Sequence, residues 1–107
     1  MSTSYRVVLV SVPRGGKAES LAEGLVESRL AACVNILGPL ASVYQWQGEV
    51  EHSEEFLLLI KSTENNSSAI QDAIRELHSY KIPELIAFTV ESGLESYLNW
   101  IASSVRK

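Results

Sequence analysis

Cysteine and long apolar runs are scarce in this chain of 107 residues. Its one cysteine, Cys33, has no partner for an intramolecular disulfide. Residues 1–6 show neither the basic start nor the apolar run of a secretory signal, so we expect a cytoplasmic protein. The longest apolar run, residues 56–60, is far shorter than the roughly 20 residues that cross a bilayer, so we expect no membrane association.

Positive charge is too sparse for nucleic acid binding. The 9 Lys and Arg residues are outnumbered by 13 Asp and Glu residues, and the formal net charge is −4. Binding to a nucleic acid backbone needs a cluster of cations that displaces condensed counterions. We therefore expect no nucleic acid partner, and the acidic balance favours a cation instead.

Catalytic motifs are also missing from the sequence. It contains no Walker-type phosphate loop, no CxxC and no HExxH, and residues 13–17 only faintly resemble an anion-binding turn at a helix start. Nothing in the pattern fixes a serine, a base and an orienting acid together. We therefore expect that the protein is not an enzyme.

What the sequence does contain predicts one α+β domain over residues 1–107. The composition is 46% apolar and 21% charged, which suffices for one hydrophobic core. Strands are predicted at residues 5–12, 32–36, 42–47, 56–61 and 85–90. A bend or bulge is expected at Gly38-Pro39, since proline cannot donate to the ladder. The polar, acidic residues 48–55 are predicted to form the tip of a long β-hairpin.

Three helices are predicted from apolar spacing. The first begins at Ala18 and keeps an amphipathic pattern as far as Leu30. The second is predicted to end near Tyr80, and a third lies near the C-terminus. The expected buried side of the second and third helices consists of Ile70, Ala73, Ile74, Leu77, Leu94, Tyr97, Leu98 and Ile101. Capping boxes are expected to open these two helices, at Ser68 with Gln71 and at Ser92 with Glu95.

The predicted order is β-α-β-β-α-β with an extra C-terminal helix, which is typical of a ferredoxin-like fold. Helices cover one side of such a sheet. The strands at residues 5–12, 56–61 and 85–90 are nonetheless apolar on both faces, which is expected only when both faces are covered. A second protomer would cover the remaining face and protect the edges of the hairpin, so we expect an obligate oligomer.

Three stretches resemble the CutA divalent-cation tolerance proteins. They are RLAACVN at 29–35, SVYQWQG at 42–48 and YKIPEL at 80–85, and the tail YLNWI at 97–101 fits as well. The likeness runs in register from about Val7 to Ile101. It implies a homotrimer similar in build to PII signalling proteins, whose hairpin strands pair across subunits.

The resemblance also implies tolerance of copper and other divalent cations, with copper binding in some members. Some bacterial relatives carry a cysteine on the first strand and adjacent histidines near the end of helix two, where this chain has Val10 and only His78. Copper prefers several N, O or S ligands in a defined geometry. We therefore expect copper or another divalent cation to bind weakly, at a site built across subunits.

The candidate metal ligands are His78, Cys33, His52 and Glu51. Each has another interpretation. His78 would also complement the dipole at a helix end, and Cys33 would also serve as a small core residue. His52 and Glu51 belong to an acidic hairpin-tip group that could bind hard cations loosely or simply protect the sheet edge. That group consists of Glu49, Glu51, His52, Glu54 and Glu55.

A second set of polar and aromatic residues corresponds, by resemblance, to positions that line a cavity between subunits. The set is Lys61, Tyr80, Glu84, Tyr97 and Trp100. The structural alternative is an ion pair between Lys61 and Glu84 at an interface, with Tyr97 and Trp100 as core anchors.

Three functions remain open at this level. The first is a trimeric cation-tolerance protein that binds copper or similar ions. The second is a PII-like trimeric sensor that binds a small anionic or organic ligand in the intersubunit cleft, for which Arg14, Lys17 and Lys61 would supply positive charge. The third is an assembly protein with no ligand.

Overall fold

The computed structural model of the chain describes residues 4–14, 17–78 and 82–107. The order of elements confirms the predicted β-α-β-β-α-β arrangement with an added C-terminal helix. The strands are β1 (Tyr5–Pro13), β2 (Cys33–Trp46), β3 (Glu49–Thr63) and β4 (Leu85–Thr89). The helices are α1 (Ala18–Glu27), α2 (Ser67–Leu77) and α3 (Glu95–Ser104), and a short 3-10 turn (Glu64–Asn66) precedes α2.

The four strands form one antiparallel sheet in the order β2-β3-β1-β4. One side of the sheet, which we call the helix face, packs against α1 and α2. Burying each large aliphatic side chain there contributes about 1.5–3 kcal/mol, so this face is the main source of stability. The core consists of Val8, Val10, Val12, Leu58 and Ile60 from the sheet and Leu21, Leu25, Ile70 and Ile74 from the helices.

The opposite side of the sheet, which we call the open face, is also apolar. It follows from strand alternation and pairing that its members are Val7, Leu9, Leu37, Leu57, Leu59, Ile86 and Phe88. Ile86 and Phe88 are each 50% exposed in the single chain. Near Tyr5, Ile101 and Leu98 of α3 pack around Ala32 and cover one end of the sheet.

β2 and β3 form a hairpin that gives the molecule its longest dimension of 47 Å. Its two-residue turn, Gln47-Gly48, has positive φ at both residues, 51° and 83°, which is the type I′ geometry that matches strand twist. The interpretation of residues 48–55 as a polar tip was wrong, because β3 begins at Glu49 and pairs with β2 from there. The acidic residues therefore lie along a strand.

The bulge at Gly38-Pro39 is confirmed by a register shift between Leu37 and Leu40, within one continuous strand rather than between two. Gly38 has φ +138°. A Cβ there would lie 2.8 Å from Phe56 Cδ1 and 3.0 Å from the carbonyl of Glu55, so the position accepts only glycine.

Both predicted capping boxes were wrong. The N-cap residues are Asn66 for α2 and Leu94 for α3, and neither helix start has a side-chain capping bond. Three residues expected on buried helix sides are instead exposed, namely Leu77, Leu94 and Tyr97. Leu77 and Leu94 lie at helix ends, beyond the reach of the sheet.

The first helix is confirmed but ends at Glu27, three residues before Leu30. Arg29 follows in the left-handed conformation, with φ 62°. The backbone N–H of Leu30 donates to the carbonyl of Leu25, and that of Arg29 donates to the carbonyl of Val26. This is a Schellman motif with arginine where glycine is usual, and buried Leu30 and Leu25 supply its apolar contact.

Candidate functional site

A cleft of about 620 Å³ runs along the part of the β2–β3 hairpin that lies between the bulge and the turn. Its floor comes from the hairpin and β1, and one side is closed by the segment that enters β4. The described residues that line it are Ser11, Ser42, Val43, Tyr44, Trp46, Glu55, Ile82 and Glu84. Cavities of this size commonly accommodate a small ligand, which makes the cleft the candidate site.

Two carboxylates lie at the inner end of the cleft, which is the end farther from the hairpin turn. Glu55 is only 6% exposed, although it is charged in water. Glu84 lies directly before β4, and its Oε1 accepts a hydrogen bond of 3.3 Å from the hydroxyl of Ser11 on β1. This bond fixes the segment entering β4 against β1 and holds the Glu84 carboxylate at the cleft.

His78 lies behind Ser11 and ties α2 to the sheet. It is the C-cap residue of α2 and is buried, and its Nε2 donates to the main-chain carbonyl of Ser11 at 2.5 Å. Its backbone N–H donates to the carbonyl of Ile74. These contacts agree with the structural interpretation of a helix-end histidine and leave its role as a metal ligand a prediction.

Two aromatic side chains line the outer part of the cleft. Tyr44 and Trp46 are separated by two residues in β2, so their side chains lie on the same face of the strand. Both are partly exposed. Their cross-strand partners are Glu51 and Glu49, respectively. The outer cleft therefore combines aromatic surface with nearby negative charge.

Lys61 lies apart from Glu84. It is level with Val7 and Phe88 on the open face, whereas Glu84 lies next to Leu85, which pairs with Val10. Lys61 Nζ donates instead to Asn35 Oδ1. Lys61 and Glu84 therefore form no ion pair within one chain, and an ion pair between them at an interface stays a prediction. A cavity that unites these residues between subunits stays a prediction.

Cys33 is directly opposite Lys61 at the start of β2. Its Sγ lies 3.8 Å from Asn35 Oδ1. The interpretation of Cys33 as a core residue was wrong, since it is only half-buried and belongs to the open face.

The remaining members of the predicted cleft lie elsewhere. Tyr97 and Trp100 stack on α3 with ring centroids 5.5 Å apart and an interplanar angle of 30°. They are 40% and 45% exposed, so they are not core anchors in the single chain. Tyr80 lies outside the described residues.

The four predicted metal ligands do not meet within one chain. Glu51 and His52 are consecutive residues of β3 and project to opposite faces, while Cys33 lies at the far end of β2. In residues 4–14, 17–78 and 82–107, no three His, Cys, Asp or Glu side chains gather into a potential metal site. Glu54, also from the acidic group, forms an ion pair with Arg14.

Sequence reasoning did not place Ser11, Tyr44 or Trp46 at a site. The strand alternation of Tyr44 and Trp46 was visible in the sequence. The bulge at residues 38–39, however, shifts the alternation of β2 by one residue, so that even-numbered residues after it share a face with odd-numbered residues before it. The position of Glu55 in the cleft depends on its pairing with both Pro13 and Leu40, which no local pattern specifies. Among the described helices, none has the length and apolarity to span a membrane.

The family profile for "CutA1 divalent ion tolerance protein" matches residues 6–104. The divalent-cation tolerance protein CutA of Thermus thermophilus is 44% identical over 95 residues, which cover 89% of this chain and 92% of that protein. The human protein CutA is 38% identical over 98 residues, which cover 92% of this chain and 55% of the human protein.

Solved structures agree with these sequence matches. The divalent cation tolerance protein of T. thermophilus superposes with a TM-score of 0.92 at 41% identity, covering 95% of this chain and 99% of that one. CutA1 from Oryza sativa superposes with a TM-score of 0.93 at 37% identity, covering 99% and 97% of the two chains.

Proposed function

The chain belongs to the CutA1 divalent ion tolerance protein family, and on that premise we propose that it works as a homotrimer that binds copper or other divalent cations weakly. The main support for a trimer is the apolar character of the open face. Its aliphatic and aromatic side chains form a continuous patch across strands β2, β3, β1 and β4. Patches of this kind on a folded domain mark a protein interface.

Assembly would also bring candidate metal ligands from different chains together. Copper and zinc sites need several N, O or S donors, and the described part of one chain brings no three of them together. Copies packed on their open faces would bring their hairpins close to one another. Carboxylates along β3, together with His52, would then supply ligands from more than one chain.

We also propose that the protein is not an enzyme. Ser11 is near both His78 and Glu84, but the contacts do not match a nucleophile and its base. The hydroxyl donates to Glu84, whereas His78 Nε2 donates to the main-chain carbonyl and so cannot accept the hydroxyl proton. The geometry supports a structural tie instead.

Two measurements on the same protein test the proposed function. Light scattering at dilute concentration is expected to give three times the chain mass. Calorimetric titration of the metal-free protein with Cu(II) and with Zn(II) is expected to give saturable heat with dissociation constants in the micromolar to millimolar range. A well-folded monomer would contradict the assembly, and no heat at millimolar metal would contradict cation binding.

The alternative of a sensor for a small anionic ligand finds less support. Two carboxylates line the inner cleft, and none of the described residues lining it is positively charged. Lys61 is bonded to Asn35, and Arg14 is paired with Glu54. The cytoplasmic compartment stays a prediction, since the relatives include proteins called periplasmic and chloroplastic.

A further inference from the structure

We propose that the ion pair between Arg14 and Glu54 is a built-in competitor for metal binding at the hairpin, where His52 and Glu54 supply two of the donors. The guanidinium occupies the Glu54 carboxylate and is displaced when a divalent cation binds there. This rests on the proposed cation binding, and it adds two named ligands and a contact that regulates them.

His52 and Glu54 lie on one side of the hairpin. They are two positions apart in β3, so their side chains project in the same direction from points about 7 Å apart along the strand. By the same alternation they share a side with Leu58, which belongs to the helix face. Both residues are exposed. Assembly through the open face would therefore leave this pair accessible to a metal ion.

The donor types suit copper and zinc. Both metals accept an imidazole nitrogen and a carboxylate oxygen. The imidazole of His52 has no hydrogen bond or ion pair within the described part of the chain. The residues opposite the pair in β2 are Val43 and Ala41, whose side chains offer no further donor. Two protein donors, with water or another chain in the remaining positions, agree with weak binding.

The carboxylate of Glu54 already holds a cation, because a guanidinium nitrogen of Arg14 donates to its Oε1. The backbone N–H of Arg14 also donates to the main-chain carbonyl of Glu54 at 3.1 Å, which keeps the guanidinium within reach. A tethered cation competes at a local concentration that dilution does not lower. The guanidinium has no acceptor and cannot itself bind a metal, so one cation must replace the other on Glu54.

The exposure of the pair sets the size of the effect. The side chain of Arg14 is 71% exposed and that of Glu54 is 43% exposed, so water screens the attraction. An exposed pair of this kind is formed for roughly 60–85% of the time, which lowers the apparent metal affinity about two- to sixfold. By linkage, bound metal weakens the ion pair by the same factor. Arg14 therefore tunes the site and does not block it.

A second exposed ion pair, Arg75 with Asp72 on α2, provides a matched control. Arg14→Gln and Arg75→Gln each remove one positive charge and change the net charge equally. In calorimetric titration with Zn(II), Arg14→Gln is expected to raise the affinity about two- to sixfold and Arg75→Gln to leave it unchanged. Arg14→Lys keeps the charge and should stay near the parent. Equal affinity of Arg14→Gln and Arg75→Gln would overturn the proposal.

Further variants test the two donors. Loss of a partner behind a metal ligand already costs about 10–100-fold in affinity, so Glu54→Gln and His52→Gln should each lower Zn(II) affinity at least about tenfold. Asp72→Asn should not. In the Glu54→Gln background, Arg14→Gln should have no further effect. If it still raises the affinity there, the guanidinium does not act through Glu54 and the proposal is wrong. Thermal unfolding verifies that each variant is folded.

Nuclear magnetic resonance gives a readout that does not depend on affinity. Zn(II) is expected to shift the Nε–Hε signal of Arg14 and not that of Arg75, and Glu54→Gln should abolish the shift. A parent protein that binds Zn(II) to saturation while the Arg14 signal stays unchanged would contradict the competition alone. A parent protein that gives no heat with Zn(II) or Cu(II) would contradict the proposed function, and the competition with it.

Discussion

The guanidinium of Arg29 donates a hydrogen bond from Nε to the carbonyl oxygen of Ser104, 75 residues away, at 3.2 Å. A second bond from the same side chain reaches the carbonyl of Ser103 at 3.2 Å. These carbonyls belong to the last turn of α3, where helical N–H partners run out and the helix dipole is negative. Arg29 thus connects the end of α1 to the end of α3.

Arg29→Ala should destabilise the protein by about 1–2 kcal/mol, because two charge-assisted bonds are lost and the left-handed backbone remains. Arg29→Gly loses the same bonds but relieves the strain at φ 62°, so it should be about 1 kcal/mol more stable than Arg29→Ala. Urea unfolding at one fixed protein concentration measures both. Equal stability of the two variants would show that the backbone conformation carries no cost.

Asn66→Ala should loosen α3. The buried Nδ2 of Asn66 donates to Thr63 Oγ1 at 2.9 Å and to the carbonyl of Arg106 at 2.7 Å. Losing both bonds while leaving the carbonyl partly buried should cost about 1–3 kcal/mol. Hydrogen exchange should then accelerate in α3 more than in the helix-face strands. Exposed Asn65→Ala is the control and should leave exchange unchanged.

Gly38→Ala and Gly24→Ala should act in opposite directions. At Gly38 the added Cβ meets Phe56 and the backbone of Glu55 with φ at +138°, so we expect destabilisation of about 2–4 kcal/mol. Gly24 lies within α1 with nothing within 4 Å of the added atom, so alanine there should stabilise by about 0.5–1 kcal/mol. Thermal unfolding of both variants checks the pair, and a neutral Gly38→Ala would refute the steric argument.

His78→Ala should reduce stability rather than metal affinity. The buried imidazole ties α2 to β1 through the Ser11 carbonyl, and its loss should cost about 1–3 kcal/mol. Copper titration of the folded variant should give the same affinity as the parent. A fall in copper affinity of tenfold or more, with stability unchanged, would instead identify His78 as a ligand.

Ile86→Lys should dissociate the assembly. The substitution places a charge on the open face at edge strand β4, where burial in an interface without a partner is costly. Light scattering is expected to show a shift towards the single-chain mass. Leu77→Lys, on an exposed residue of α2 away from the open face, is the matched control and should keep the parent mass. An unchanged mass for Ile86→Lys would show that the open face is not the interface.

Local pattern was sufficient for the element order, the hairpin and the bulge, because strand alternation, helical spacing and proline chemistry act over a few residues. It failed at the helix ends. The capping boxes at Ser68 and Ser92 do not form. The end of α1 was also missed, because the left-handed residue that follows it is Arg29 and not the glycine that usually marks a helix end. The hydrogen bonds from the Arg29 side chain to α3 offset the backbone strain that a glycine at this position would have avoided.

The sequence by itself determined which surfaces are apolar, including a sheet face that the chain's own helices leave largely uncovered, because side-chain direction in a strand alternates strictly. Only the tertiary structure decided which polar groups share a site. It separates Lys61 from Glu84 and brings Glu84 to Ser11, and it places Glu55 in one cleft with Trp46. The physical reason is register, since pairing between strands distant in sequence sets these neighbours and a shift of one residue would exchange the two faces.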